Sequence, residues 1–270
     1  MFESATSLAA LKRRIALLED RPAMKPDARV ASGHAGLDQA LEGGFARGRI
    51  HEIFGALEDE GAGAGFALIL ADLVAKERPL FWLRMAHASS GYPYGPGLAA
   101  LGIDPAGLLM GCMADESLLL RAAVDALRCP ALGAVVIELR GRAPLLDLTA
   151  SRRLTLAAEA SGVTAFLLRI DGDPAPSTAD TRWRVAAAPS APLPGNAPGL
   201  SAFDLSLLRR RSGPDGMRWR LIWDQEQGVF GEAYERHDYG QDSGRRGVDA
   251  ALSGAVVSLP SDRPAAHRAA

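Results

Sequence analysis

Apolar residues along this chain come first at helical spacing and then in unbroken runs. Between residues 4 and 20, Leu8, Leu11, Ile15 and Leu18 recur at steps of three and four, with Lys12, Arg13, Arg14 and Glu19 on the other faces. That layout predicts an amphipathic helix. Arg21-Pro22 ends it, because a residue before proline avoids the helical region, and Met24-Lys25-Pro26-Asp27 reads as a linker. A short helix over 36–41 is stopped by Gly43-Gly44. Strand and helix signals then alternate: a strand over 49–54, a Gly-rich turn, a helix from about 65 to 76, and a strand over 80–85. After a Gly/Pro/Tyr loop at 91–96 come a helix near 97–101, a strand over 108–112, a helix over 116–128 and the apolar strand 134–139. Asp147 is placed to cap a helix over 147–160, and residues 163–170 are another buried strand. Strands without polar alternation, separated by helices, predict a mostly parallel sheet covered on both faces.

Beyond residue 180 the period changes to two. Trp183 and Val185 alternate with Arg182 and Arg184, Phe203, Leu205 and Leu207 with Asp204 and Ser206, and Met217, Trp219, Leu221 and Trp223 with Arg218, Arg220 and Ile222. With the turn Ser212-Gly213-Pro214-Asp215-Gly216 between the last two, these read as antiparallel edge strands with a hairpin. The alternation sends the tryptophans inward and the arginines to solvent. After Phe230 periodicity fades, and the Gly/Ala/Ser/Asp-rich, mixed-charge residues 231–270 are expected to be a disordered tail. The organisation is thus an N-terminal helix and linker (1–27), an α/β core with its hairpin (28–230) and a tail (231–270).

Composition narrows the chemistry. With 48% hydrophobic and 23% charged residues the chain has ample material for a core. A net charge of −2 supplies no overall field toward DNA or acidic membranes, so any nucleic-acid contact must come from a local patch. The longest apolar stretch is broken by Asp72, too short for a membrane span, and the N-terminus lacks the layout of a secretory signal. Two cysteines, Cys112 and Cys129, form no CxxC, so a reducing cytoplasm is the expected address. Five scattered histidines offer no metal-ligand spacing. No metal or other cofactor is expected.

One segment carries more specific information. Ser32-Gly33-His34-Ala35-Gly36-Leu37-Asp38 is followed by Leu41-Glu42-Gly43-Gly44-Phe45-Ala46-Arg47-Gly48-Arg49-Ile50-His51-Glu52-Ile53-Phe54-Gly55. This resembles the approach to the nucleotide loop of RecA-family ATPases, in which a [ST]-G-x-x-x-L-D helix leads through Gly-Gly into a Gly-x-[IV]-x-Glu strand. The loop itself departs from that pattern. A working loop needs G-x-x-x-x-G-K-[ST], where amides cradle phosphates, the lysine meets the β/γ oxygens and the hydroxyl holds Mg²⁺. Here Gly55 leads into Ala56-Leu57 and three carboxylates, Glu58, Asp59 and Glu60, then Gly61, Gly63 and Gly65 spaced by alanines. No lysine or hydroxyl is present, and the acids would repel a triphosphate. By the same resemblance, Ala86 stands where the second strand should supply a water-activating glutamate, and Glu138 where the fourth should supply an Mg²⁺-ordering Asp. A glutamate ending a buried strand is also a common solvated cap. Hydrolysis of ATP is therefore not expected.

Further stretches carry a narrower resemblance. These are Leu101-Gly102-Ile103-Asp104-Pro105-Ala106-Gly107-Leu108-Leu109, Arg128-Cys129-Pro130-Ala131-Leu132, the segment from Asp147 through Leu154, Ala157-Ala158-Glu159-Ala160-Ser161-Gly162-Val163 and Thr181-Arg182-Trp183-Arg184-Val185. Over about residues 5–225 the chain resembles the ImuA family of RecA-like accessory proteins. That resemblance implies a non-catalytic role in damage-induced translesion DNA synthesis and mutagenesis, in the SOS response. The implied partners are an ImuB-type Y-family polymerase homologue, with RecA and an error-prone C-family polymerase as further candidates. DNA would be reached through them, and in the nucleoid during damage.

Three surfaces are candidates for contacts. The helix bearing Leu8, Leu11, Ile15 and Leu18 suits a partner, a second copy of the chain or its own core. Arg140, Arg142, Arg152 and Arg153 are candidate DNA contacts, weighed against the acids Asp171, Asp173 and Asp180 in one of the two loops that correspond to RecA's DNA loops. The tail is either a solvated appendage or a partner-binding peptide. Two competing functions are an ATPase with an unconventional site and a SulA-like inhibitor of cell division. The chain is much longer than SulA proteins, which lack the strands of 181–225.

Overall fold

A computed structural model describes residues 28–86, 91–193 and 197–233. The order of elements is β1 (Arg29–Val30), α1 (Ala35–Ala40), β2 (Phe45–Ala46), β3 (Ile50–Gly55), α2 (Glu60–Ala75), β4 (Leu80–Met85) and α3 (Gly95–Ala100). There follow β5 (Leu108–Met113), α4 (Glu116–Leu127), β6 (Ala134–Arg140), α5 (Leu148–Ser161) and β7 (Thr164–Ile170), then the strands β8 (Thr181–Ala187), β9 (Ala202–Arg210), β10 (Arg218–Asp224) and β11 (Val229–Glu232). Nine strands form one sheet in the order β11-β10-β9-β8-β3-β7-β6-β4-β5. From β8 to β5 every pairing is parallel, and from β8 to β11 every pairing is antiparallel.

Side chains alternate across a strand, so each buried strand feeds two cores. On one face, Ile53, Val136, Phe166, Leu168 and Trp183 pack with Phe66 and Leu70 of α2. On the other, Ile50, Leu83, Val135, Ile137 and Leu167 pack with Leu119 and Leu127 of α4 and Leu154 of α5. Strands buried on both sides in this way are why the segments 134–139 and 163–170 carry no polar alternation. The cap expected at Asp147 is present: its carboxylate accepts from the Ala150 N–H at 2.7 Å.

The structure departs from the sequence reading in four places. First, α2 begins at Glu60 rather than near 65. Its glycines are taken into the helix, where a Cβ on Gly63 would make ordinary contact with the Leu168 side chain at 3.4 Å. Second, β1 and β2 form a two-residue antiparallel pair that leaves no periodicity to read. Gly44 makes it possible, since at φ 107° a Cβ there would meet the Val30 carbonyl oxygen at 2.0 Å. Third, β11 runs to Glu232 and buries Phe230 against Phe66, Phe203 and Trp223.

The fourth departure concerns the arginines. Trp183 is buried, as alternation requires, but Arg210 is buried too and Arg182 is largely covered, its side chain 11% exposed. Arg182 pairs with Glu52 at 2.6 Å and Arg210 with Glu42 at 2.9 Å. The reason is local: each has a carboxylate from another segment opposite it, whereas Arg184 and Arg209 on the same strands are exposed as alternation predicts. The helix of Leu8, Leu11, Ile15 and Leu18, and residues 234–270 of the tail, lie outside the described residues. Among the described residues no helix is long and apolar enough to cross a membrane.

Candidate functional site

In a parallel α/β sheet the ligand crevice lies beyond the carboxyl ends of the strands. Here β3 ends at Gly55, whose carbonyl accepts from the Asp171 N–H at 2.9 Å, and the chain turns directly into α2. Counted from Gly55, the second glycine of a nucleotide loop falls on Glu60, the lysine on Gly61 and the hydroxyl on Ala62. Lys76, the nearest lysine downstream, is the left-handed C-cap at the opposite end of α2, about 24 Å away along its axis.

Two of the three carboxylates of the turn are engaged by the protein itself, while Glu58 is exposed. Asp59 accepts the Ala187 N–H at 2.8 Å and so ties the turn to the end of β8. Glu60 is ion-paired with Arg140, and Arg140 Nε also donates to Glu138 Oε1 at 2.9 Å. The second oxygen of Glu138 accepts from Trp82 Nε1 at 3.0 Å and lies 3.9 Å from Arg84 Nε. Arg84 donates to the Gly91 carbonyl at 2.6 Å and faces the Tyr92 ring, 5.6 Å from its centroid. Two acids and two arginines thus balance one another across β4, β6 and the first turn of α2. Glu138 is 4% exposed, and so is not the solvated strand cap that its position in sequence allowed. Ala86 follows β4 with its N–H donated to Met113 O, and supplies no acid.

Beside this network is a cavity of about 520 Å³ whose lining includes Gly61, Gly65, Trp82, Tyr92, Leu98 and Leu168. It is mainly aliphatic and aromatic, with charge confined to Glu60, Arg84 and Glu138. A bound triphosphate would need free amides, a lysine and a metal-ordering acid. The residues present do not fit that requirement, because both oxygens of Glu138 are engaged and the lysine position is a glycine. Among the described residues no cluster of His, Cys, Asp and Glu could hold a metal ion.

The four candidate DNA-contact arginines do not lie together. Arg140 is on the α2 side of the sheet, in the ion-pair network. Arg142 is exposed in the loop after β6, and Arg152 and Arg153 are exposed on α5, which covers the opposite face. The loop over 171–180 is pinned rather than free. Thr178 N–H donates to Ser151 Oγ at 2.9 Å, Thr178 and Thr155 hydroxyls meet at 2.6 Å, and Arg209 donates to the Ser177 carbonyl at 3.2 Å.

Arg84, Trp82 and Arg140 are the site residues that the sequence reading did not connect. The signal was there in period two: Trp82 and Arg84 share one face of an apolar strand, as do Glu138 and Arg140. Charges in phase with buried residues are expected to pair. What no pattern revealed is that Trp82 and Arg84 converge on Glu138, and that Arg140 joins Glu138 to Glu60.

The chain is 35% identical over 203 residues to protein ImuA of Caulobacter vibrioides, in strains NA1000 / CB15N and CB 15, a match covering 69% of this chain and 79% of the relative. No family model matches the chain. Among solved structures, the RadB recombinase superposes with a TM-score of 0.50 at 14% identity, over 76% of this chain and 100% of the RadB chain. At that identity the likeness establishes the fold.

Proposed function

From the premise that this chain belongs to the ImuA family, we propose that it is a RecA-like accessory protein of damage-induced translesion synthesis that acts by binding partners, without hydrolysing ATP. The observation that carries the non-catalytic part is the Glu60–Arg140–Glu138 network. It places the chain's own carboxylate and guanidinium where a working site keeps lysine, metal and phosphate. Catalysis of phosphoryl transfer is positioning plus electrostatic stabilisation of the transferred group, and neither is supplied by a cluster that is self-paired and, with Arg84 counted, neutral. The pinned loop over 171–180 supports DNA being reached indirectly. The family supports an ImuB-type Y-family polymerase homologue as the principal partner, with RecA and an error-prone C-family polymerase as further candidates.

The test has two arms. Co-expression with the ImuB-type protein of the same genome should give a complex that survives size exclusion. Phosphate release from ATP should stay at background, alone or with partner and single-stranded DNA. Turnover that is abolished by Glu138→Gln would instead establish an ATPase with an unconventional site. Absence of any complex, with both proteins folded, would remove the accessory reading.

A further inference from the structure

On the face of the sheet opposite the candidate site, α4 and α5 lie side by side and leave a groove of about 580 Å³. Its floor is apolar, built by Leu120, Val124 and Leu154. Three arginines, Arg121, Arg128 and Arg153, stand along it. Arg128 lies 3.8 Å from Asp125 on its own helix, and the other lining acid, Asp147, is held as the cap of α5. Arg121 and Arg153 have no ion pair among the described residues, and three arginines against two aspartates leave the groove with a net positive charge over an apolar floor. One rim is fixed in place: Glu116, in the first turn of α4, accepts the N–H groups of Leu145 and Leu146 at 3.0 and 3.2 Å. The apolar surface continues onto Leu145 and Leu148, both about half exposed.

We infer that this groove is a docking site for an acidic amphipathic segment of another protein. Apolar side chains of such a segment would cover the leucine and valine floor while its carboxylates meet Arg121 and Arg153. That is the helix-in-groove mode of recognition with charge selecting the partner. A nucleic-acid strand fits less well, because the floor offers nothing to phosphate and the Asp125 and Asp147 carboxylates stand beside the cations. The inference deepens the accessory reading, on which it rests for protein binding as the mode of action, by giving a surface and the chemistry that fits it.

The experiment is selection of a random displayed-peptide library on the full-length protein, with counter-selection on Arg121→Glu/Arg153→Glu. The recovered peptides should carry Asp or Glu together with apolar residues three and four apart. Their affinity should fall with added salt and weaken roughly tenfold or more on the double reversal. Arg121→Lys/Arg153→Lys should retain most of it, and thermal unfolding should show both variants folded. No enrichment, or enriched peptides that bind the reversed variant equally well, would overturn the assignment. So would a loss of affinity for an oligothymidylate strand in place of peptide, which would mark a nucleic-acid surface. Failure of the ImuB-type complex with peptide binding intact would sink the accessory role and leave the groove standing. The complex forming normally with the reversed variant, with no peptide effect, would do the reverse.

Discussion

Arg140 is the residue on which the candidate site turns, because it pairs with both Glu60 and Glu138. Its removal would leave Glu138, almost wholly buried, with one balancing charge fewer. Breaking a fully buried pair costs about 3–5 kcal/mol. Since Glu60 and Arg140 are partly solvated, Arg140→Ala should cost about 2–3 kcal/mol in chemical denaturation. The same change in a Glu60→Ala background should cost less, and equal costs would show that the two do not interact. His51 makes a second prediction. It is fully buried, with Nδ1 2.8 Å from Thr181 Oγ1 and Nε2 2.9 Å from the Ala46 carbonyl. The Trp183 indole N–H donates to that same Thr181 oxygen, so the hydroxyl proton is free for Nδ1 and the neutral ring is fully satisfied. Burial pushes the imidazole pKa down from its ordinary 6.5, against smaller opposing pulls from Asp180 and the Ala46 carbonyl. The unfolded chain then takes up a proton that the folded one refuses. Stability is complete above pH 6.5 and declines as pH falls below it, by at most about 1.4 kcal/mol per unit. Urea midpoints at about pH 7.5 and 5.5 should differ in that sense, and His51→Asn should flatten the difference. Asp72, whose pKa burial raises from 3.8, acts with the opposite sign between that pH and its raised value, so the His51→Asn comparison is what isolates the histidine.

Helix α2 begins where the RecA-like pattern places its nucleotide loop, without the lysine and hydroxyl of that pattern. In a nucleotide-binding chain its first turn would hold phosphate on backbone amides. Here a carboxylate, Glu60, occupies the first turn, where the helix dipole favours negative charge, and is fixed by Arg140. Glycine within a helix costs about 0.5–1 kcal/mol relative to alanine, and α2 carries Gly61, Gly63 and Gly65 in its first half. Gly63 and Gly65 lie against Leu168, Leu101 and Phe203, but a Cβ on Gly61 would meet nothing within 4 Å. Gly61→Ala should therefore stabilise the protein by about 0.5–1 kcal/mol in denaturant titration. Destabilisation would mean that the cavity mouth needs a bare backbone there. Restoring the loop pattern with Gly61→Lys/Ala62→Thr should not by itself yield ATP turnover, as the phosphate position would still face Glu60 and Glu138.

Across the whole molecule, the antiparallel strands are a structural extension of the parallel core and share its packing. Phe66 of α2 contacts Trp183, Phe203 and Phe230, which come from β8, β9 and β11. Phe230→Ala should thus act on the entire fold, costing about 3–5 kcal/mol in a single cooperative transition. A separate, earlier transition for 181–232 would show that this half folds independently. The sequence was sufficient for the alternation of strands and helices, the hairpin, the cap at Asp147 and the lost lysine and hydroxyl, because each is written in local spacing or in a single residue type. It was also sufficient for the family. Tertiary structure alone decided that β8 lies inside the sheet, that Arg182 and Arg210 meet Glu52 and Glu42 in ion pairs, and that Gly44 passes close under Val30. It alone brought Glu60, Arg140, Glu138 and Arg84 together from three elements, and aligned α4 with α5 so that Arg121 and Arg153 share one groove. Such contacts join residues far apart in the chain, and periodicity specifies which face a side chain takes without specifying what will stand opposite it.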